Sequence, residues 1–92
     1  MQIQMNYFAQ FRQAAGVSTS ELVLEDQATV LQAISLAADR HGNAFRELIL
    51  SESDQFQPCV ILLVNGIPPS DGIKTILKDG DSVSLFTALA GG

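Results

Sequence analysis

The chain is poor in cysteine, in positive charge and in long apolar runs, and each shortage excludes something. Cys59 is the single cysteine, so no internal disulfide can form, and the composition fits a reducing, cytoplasmic setting. Five basic residues stand against ten acidic ones, for a net charge of −5. Arg12, Arg40, Arg46, Lys74 and Lys78 are scattered, with neither a basic patch nor an aromatic stacking platform, which argues against nucleic acid as a partner. No apolar stretch approaches the length of a membrane span. Gln2, Gln4 and Asn6 interrupt the apolar residues at the start, so no secretory leader is expected. The sequence shows no internal repeat or low-complexity linker, and no spacing that signals a metal site, a nucleotide loop or a catalytic base.

What remains is a 92-residue chain with 47% hydrophobic residues, enough for one domain with its own core. Gln2 to Phe8 alternates, with Ile3, Met5 and Tyr7 on one side, and reads as a strand. A short helical turn over Ala9–Ala15 ends at Gly16. Ser20–Glu25 is a second strand, with Leu22 and Leu24 inward, and the short connection makes the pair antiparallel. Thr29 and Gln32 have capping-box spacing, and the helix they open runs to about Arg40 with Val30, Leu31, Ile34, Ala37 and Ala38 as its apolar stripe. Gly42 and Asn43 stop it. Ala44–Leu50 gives a shorter helical pattern with Phe45, Leu48 and Ile49. Pro58–Val64 is a continuous apolar run and reads as a buried strand. Asn65-Gly66 signals a hairpin turn, after which Ile67-Pro68-Pro69 can form only a short strand. Ser70–Leu77 is irregular, with Ile73, Ile76 and Leu77 as core candidates. Asp79-Gly80-Asp81 is turn chemistry, and Ser82–Phe86 is the last strand.

The chain then closes on a small, charge-free segment, Thr87 to Gly92. Two glycines at its tip could lie in a narrow slot and bring a carboxylate to a partner's active site. Fully extended, six residues reach roughly 20 Å. At ordinary glycine usage a Gly-Gly end arises by chance in roughly one chain in two hundred. The element order, with parallel pairing of the first and last strands, corresponds to an α+β fold, the β-grasp arrangement of ubiquitin-like proteins. It comprises a mixed four- to five-stranded sheet with one main helix on one face, a single domain over 1–92 with an extended tail 87–92. The other sheet face must meet solvent or a partner, and Leu63, Phe86 and Leu89 are candidates for an apolar patch there.

At this point the chain resembles a known family, the small subunit of molybdopterin synthase within the ubiquitin-like sulfur carriers. The resemblance rests on Tyr7-Phe8-Ala9 followed by Phe11-Arg12 and Gly16, Thr29-Val30, Val64-Asn65-Gly66, Lys78-Asp79-Gly80-Asp81 and Ala90-Gly91-Gly92. Thr87-Ala88 stands where many members of that branch carry prolines, and with Leu89 and Gly91-Gly92 it is similar to the tail of the thiamin-pathway sulfur carrier. The resemblance implies that Gly92 is the reacting residue, adenylated and then converted to a thiocarboxylate. Gly91, Ala90 and Leu89 would thread into the partner, and Phe86, Leu63 and Thr87 would contact it. It implies two partners: a large catalytic subunit of molybdopterin synthase, forming a hetero-oligomer of two small and two large subunits, and an adenylating enzyme of the ubiquitin-activating type. ATP and Mg²⁺ belong to that enzyme, and no cofactor is expected on this chain, which is a carrier rather than a catalyst. The same terminus would serve a protein modifier joined to lysines through Gly92.

Freezing a six-residue tail costs roughly 6–12 kcal/mol, so the folded body is expected to dock as well. Elsewhere the residues have ordinary readings. His41 is expected to favour the helix C-terminus, Cys59 to be a small core residue, Lys74 and Lys78 to be solvated, and Asp79 and Asp81 to form a turn rather than a carboxylate pair.

Overall fold

The structure, a computed structural model, describes residues 1–50, 57 and 59–87. Strand β1 (Gln2–Tyr7) buries Ile3, Met5 and Tyr7 and exposes Gln2 and Gln4, as the alternation requires. The chain turns at Ala9, held at φ 52°, into the short helix α1 (Gln10–Ala15), which buries Phe11 and ends at Gly16 in the left-handed conformation. Strand β2 (Thr19–Val23) returns antiparallel to β1. It starts one residue before the expected Ser20–Glu25 and ends two residues earlier. Leu22 is buried, and Leu24, just past the strand, packs half-buried on the core.

Helix α2 (Val30–His41) opens on the expected capping box. The Gln32 N–H donates to Thr29 Oγ1 at 3.3 Å, and the Thr29 N–H donates to Gln32 Oε1 at 2.8 Å, so each side-chain oxygen satisfies the other residue's backbone N–H. The buried stripe is Val30, Ala33, Ile34, Ala37 and Ala38. Leu31, assigned to that stripe by sequence, is half-buried, and Ala33 takes its place. Three of the five buried residues are alanines, which ranking residues by hydrophobic size does not reveal. Gly42, at φ 97°, turns the chain directly into α3 (Asn43–Ile49), which buries Phe45 and Ile49.

Strands β3 (Val60–Val64) and β4 (Ser82–Thr87) complete one four-stranded sheet in the order β2-β1-β4-β3. The central pair β1–β4 is parallel, with Gln4 beside Ser82 and Tyr7 beside Leu85, as the sequence predicts. Asn65 and Gly66 both have positive φ, 54° and 82°, and close a two-residue hairpin in which Val64 and Ile67 exchange hydrogen bonds of 2.9 and 3.1 Å. The short strand expected at Ile67-Pro68-Pro69 shrinks to that single bridge, because neither proline has an N–H to extend it. A 3-10 turn over Gly72–Lys74 follows. Thr75 and Leu77 then bond to Val30 and Ala28, which buries Leu77 and leaves Ile76 outside, 53% exposed. Ile76 was a core candidate; alternation across this bridged segment points it the other way. The core is one continuous cluster between α2, α3 and the inner sheet face.

Candidate functional site

The site is built on the sheet face opposite α2. Since Ile3, Met5, Tyr7, Val60, Leu62, Val83 and Leu85 point into the core, their neighbours must point outward. On β4 and β1 these are Ser82, Ser84, Gln4 and Asn6, which form a polar lattice. Asn6 Nδ2 donates to Ser82 Oγ at 2.7 Å and to Ser84 Oγ at 3.2 Å, and Gln4 Nε2 donates to Asn6 Oδ1 at 2.8 Å. Further along the same face the chemistry changes. Phe86 lies opposite Ile61 on β3, and Leu63 lies opposite Ser84. Phe8, one residue past β1, stacks on Phe86 with ring centroids 4.3 Å apart and planes 6° from parallel.

Phe8 and Ile61 are 42% and 43% exposed, and Leu63 and Phe86 are half-buried. Because β1 and β4 run parallel, Phe8 and Phe86 fall at the same end of the sheet. That end is where β4 hands the chain to its last residues. Thr87 is half-buried and closes β4 opposite Val60, so it belongs to the strand rather than to a tail. Leu89, Ala90, Gly91 and Gly92 lie outside the described residues. The structure thus brings together Leu63 and Phe86 from the sequence-derived set, whereas Thr87, in phase with Val83 and Leu85 and opposite the inward-facing Val60, points to the other face of the sheet. It adds Phe8 and Ile61, which sequence reasoning missed. Phe8 was legible as the out-of-phase residue ending the Gln2–Phe8 alternation. Ile61 was not, because an unbroken apolar run hides which residues face outward.

The remaining motif residues are structural. Asp81 Oδ2 accepts from the Lys78 N–H at 2.8 Å, and Asp81 Oδ1 accepts from Asn65 Nδ2 at 3.0 Å. Asn65 Oδ1 in turn accepts from the Ser82 N–H at 3.0 Å. Asp79 Oδ1 accepts from the Gln2 N–H at 2.7 Å, and the Gly80 N–H donates to the Gln2 carbonyl at 2.8 Å. Both carboxylates therefore tie the turn to β1 and to the β3 hairpin, as turn chemistry predicts. Lys74 and Lys78 are exposed. Cys59 is half-buried in the turn before β3.

His41 departs from expectation. Its ring packs edge-on to Tyr7 at 5.3 Å and against Phe45 at 5.3 Å. Its Nε2 is buried without a hydrogen-bond partner among the described residues. Burial, with Arg40 beside it, lowers its pKa below the ordinary histidine value. A neutral ring gains little from a helix C-terminus, so His41 serves as an aromatic wedge between α2, α3 and β1.

A helix-backed sheet with parallel central strands, and an apolar cluster where the last strand ends, defines a ubiquitin-like β-grasp protein. The ThiS family model matches residues 5–92. The chain belongs to the ThiS family and is a ubiquitin-like sulfur carrier or modifier of that type. It is 38% identical to small archaeal modifier protein 3 of Haloferax volcanii, with all of both chains covered. It is 34% identical to a Pyrococcus furiosus chain assigned as subunit 1 of a molybdopterin converting factor, whose structure superposes with a TM-score of 0.78 over 97% of this chain and 99% of that one. The crystal structure of SAMP1 from Haloferax volcanii, 22% identical and fully covered on both sides, superposes at 0.90 and shows the shared fold. Among the described residues no helix is long and apolar enough to cross a membrane.

Proposed function

We propose that this chain carries sulfur on Gly92 and donates it as the small subunit of a molybdopterin synthase. The supporting observation is the apolar cluster of Phe8, Ile61, Leu63 and Phe86 at the strand end that leads into the Gly-Gly segment. Such a surface can hold a partner while the terminus enters its interior. A carboxylate is a poor electrophile. Its oxygen first attacks the α-phosphorus of ATP held by an adenylating enzyme, pyrophosphate leaves, and an acyl-adenylate results. Sulfide then forms a C–S bond as the C–O bond to AMP breaks, leaving a thiocarboxylate on Gly92 and releasing AMP. In the large synthase subunit that sulfur forms a bond to carbon of a pterin precursor, and water then cleaves the acyl C–S bond, which leaves the sulfur on the pterin and returns Gly92 as a carboxylate. Leu89, Ala90 and Gly91 thread the slot, and the body docks through the apolar cluster.

A second reading has its own support in the 38% identity to a small archaeal modifier protein along the whole chain. In it, the activated Gly92 acylates lysines of target proteins. Reconstitution separates the two. The chain, the host's adenylating enzyme, ATP and a sulfur donor are combined with the host's large synthase subunit and a pterin precursor. Formation of the dithiolene product supports the sulfur-donor role. Lysine-linked adducts on a denaturing gel, with no product, support the modifier role.

A further inference from the structure

The sheet has two edges, and the structure treats them differently. At the β3 edge Val64 is bonded to Ile67, and the Val60 N–H donates to Gln57 at 3.2 Å, so both ends of that strand are covered. At the β2 edge, Leu24 exchanges hydrogen bonds with Met1, and the Tyr7 N–H donates to the Ser18 carbonyl. In an antiparallel ladder such pairs recur every second residue. Ser20 and Leu22 therefore face β1, and Thr19, Glu21 and Val23 turn their N–H and C=O groups outward. Among the described residues a single side chain closes this edge: Arg40 Nη1 of α2 donates to the Glu21 carbonyl at 3.1 Å. Open edges of this kind invite another strand unless covered.

Two further features say what that strand would be. Val23 is 73% exposed, beside a groove of about 510 Å³ whose lining includes Val23, Leu24, Ala28 and Leu36, with Glu25 and Asp26 at its rim. Glu21 adds a third exposed carboxylate on the strand itself. We propose that the β2 edge is a second docking site, taking an extended protein segment of alternating apolar and basic residues as a fifth strand. Main-chain hydrogen bonds to Thr19, Glu21 and Val23 supply affinity. An apolar side chain fills the groove, and lysine or arginine meets Glu21, Glu25 and Asp26. Arg40 is the latch that the incoming strand displaces.

This site is separate from the apolar cluster. Val23 pairs with Gln2 at the start of β1, roughly 20 Å along the strand from Phe8 at about 3.3 Å per residue. Both sites can be occupied at once, so a bound segment could recruit a further protein while the terminus is engaged.

The test uses the full ¹⁵N-labelled chain and an acetylated nonapeptide of alternating lysine and valine, followed by NMR titration. Shifts are expected at Thr19, Glu21, Val23, the groove residues and Arg40. Val23→Pro removes an outward N–H without touching the β1 ladder and is expected to weaken binding about fivefold or more, the worth of one main-chain hydrogen bond. Arg40→Ala frees the Glu21 carbonyl and is expected to tighten binding about threefold. The double variant Glu25→Lys with Asp26→Lys, which leaves the backbone alone, should lose the lysine peptide and gain one of alternating glutamate and valine. Equal affinity for wild type and Val23→Pro together with an unaffected double variant, shifts confined to Phe8, Ile61 and Phe86, or concentration-dependent pairing of two copies through β2 in place of peptide binding would each overturn the proposal. Activation of Gly92 in Val23→Pro should be unchanged, so failure here leaves the sulfur-carrier reading standing.

Discussion

Replacing Asn65 with alanine should cost stability and leave the chemistry at the terminus intact. Asn65 joins three elements: its amide binds the Asp81 carboxylate, its Oδ1 takes the Ser82 N–H, and its own N–H reaches the Ser82 carbonyl at 2.7 Å. Asn65→Ala removes the two side-chain bonds. Each is worth about 0.5–1.5 kcal/mol net, and the low end applies at an exposed site. The residue also sits at φ 54°, where a Cβ-bearing residue without a local polar group pays about 1 kcal/mol. The sum is about 2–3 kcal/mol. For a domain of this size that is a fall in Tm of roughly 8–24 °C. Asn65→Gly loses the same bonds but keeps the backbone conformation, so it should fall short of alanine by about 1 kcal/mol. Urea unfolding with shared m-values measures both. An unchanged midpoint in Asn65→Ala, with lost activation of Gly92, would refute the structural role given to the Val64-Asn65-Gly66 motif.

Three further outcomes follow from the same geometry. On the proposed function, Ile61→Lys should weaken binding to the large synthase subunit by about 30-fold, in the range of interface hot spots, with little change in unfolding because Ile61 is 43% exposed; calorimetry on the folded variant checks this. Stability should fall with acid because of His41. Its native pKa is lowered by burial and then by Arg40, so its contribution is present above the unfolded value of about 6.5 and is lost as pH falls below that; His41→Phe should flatten this part of the profile in urea titrations. Thr29→Ala removes the cap of α2 and should cost about 1 kcal/mol, read as a shift in the urea midpoint.

The sequence carried the fold well wherever a period or a cap was unambiguous. Gln2–Tyr7 alternates and is β1; Thr29 and Gln32 form the box they spell; Asn65-Gly66 makes the tight hairpin. It carried less where side-chain size misled. Leu31 looks like core and Ala33 does not, yet the rotation of the helix buries the alanine and leaves the leucine half-buried. Ile76 and Leu77 are adjacent and equally apolar, and only pairing of their segment with Ala28–Val30 decides that Leu77 goes inside. The site was half legible for a related reason. Phe86 and Leu63 stand out beside the charge-free end, whereas Ile61 hides in Val60–Val64 and Phe8 gains meaning only when parallel pairing sets it against Phe86. His41 could be placed at a helix end but not in its aromatic cage, which joins residues from three elements.

If Gly92 carries the sulfur, as proposed, it shows directly in the intact mass of the chain after incubation with ATP, a sulfur donor and its host's adenylating enzyme, beside a control lacking Gly92. A gain equal to one oxygen replaced by one sulfur is expected, located by fragmentation on the C-terminal peptide and absent from the control. A chain that stays unmodified under these conditions, or that gains sulfur elsewhere, on Cys59 for example, would contradict that proposal.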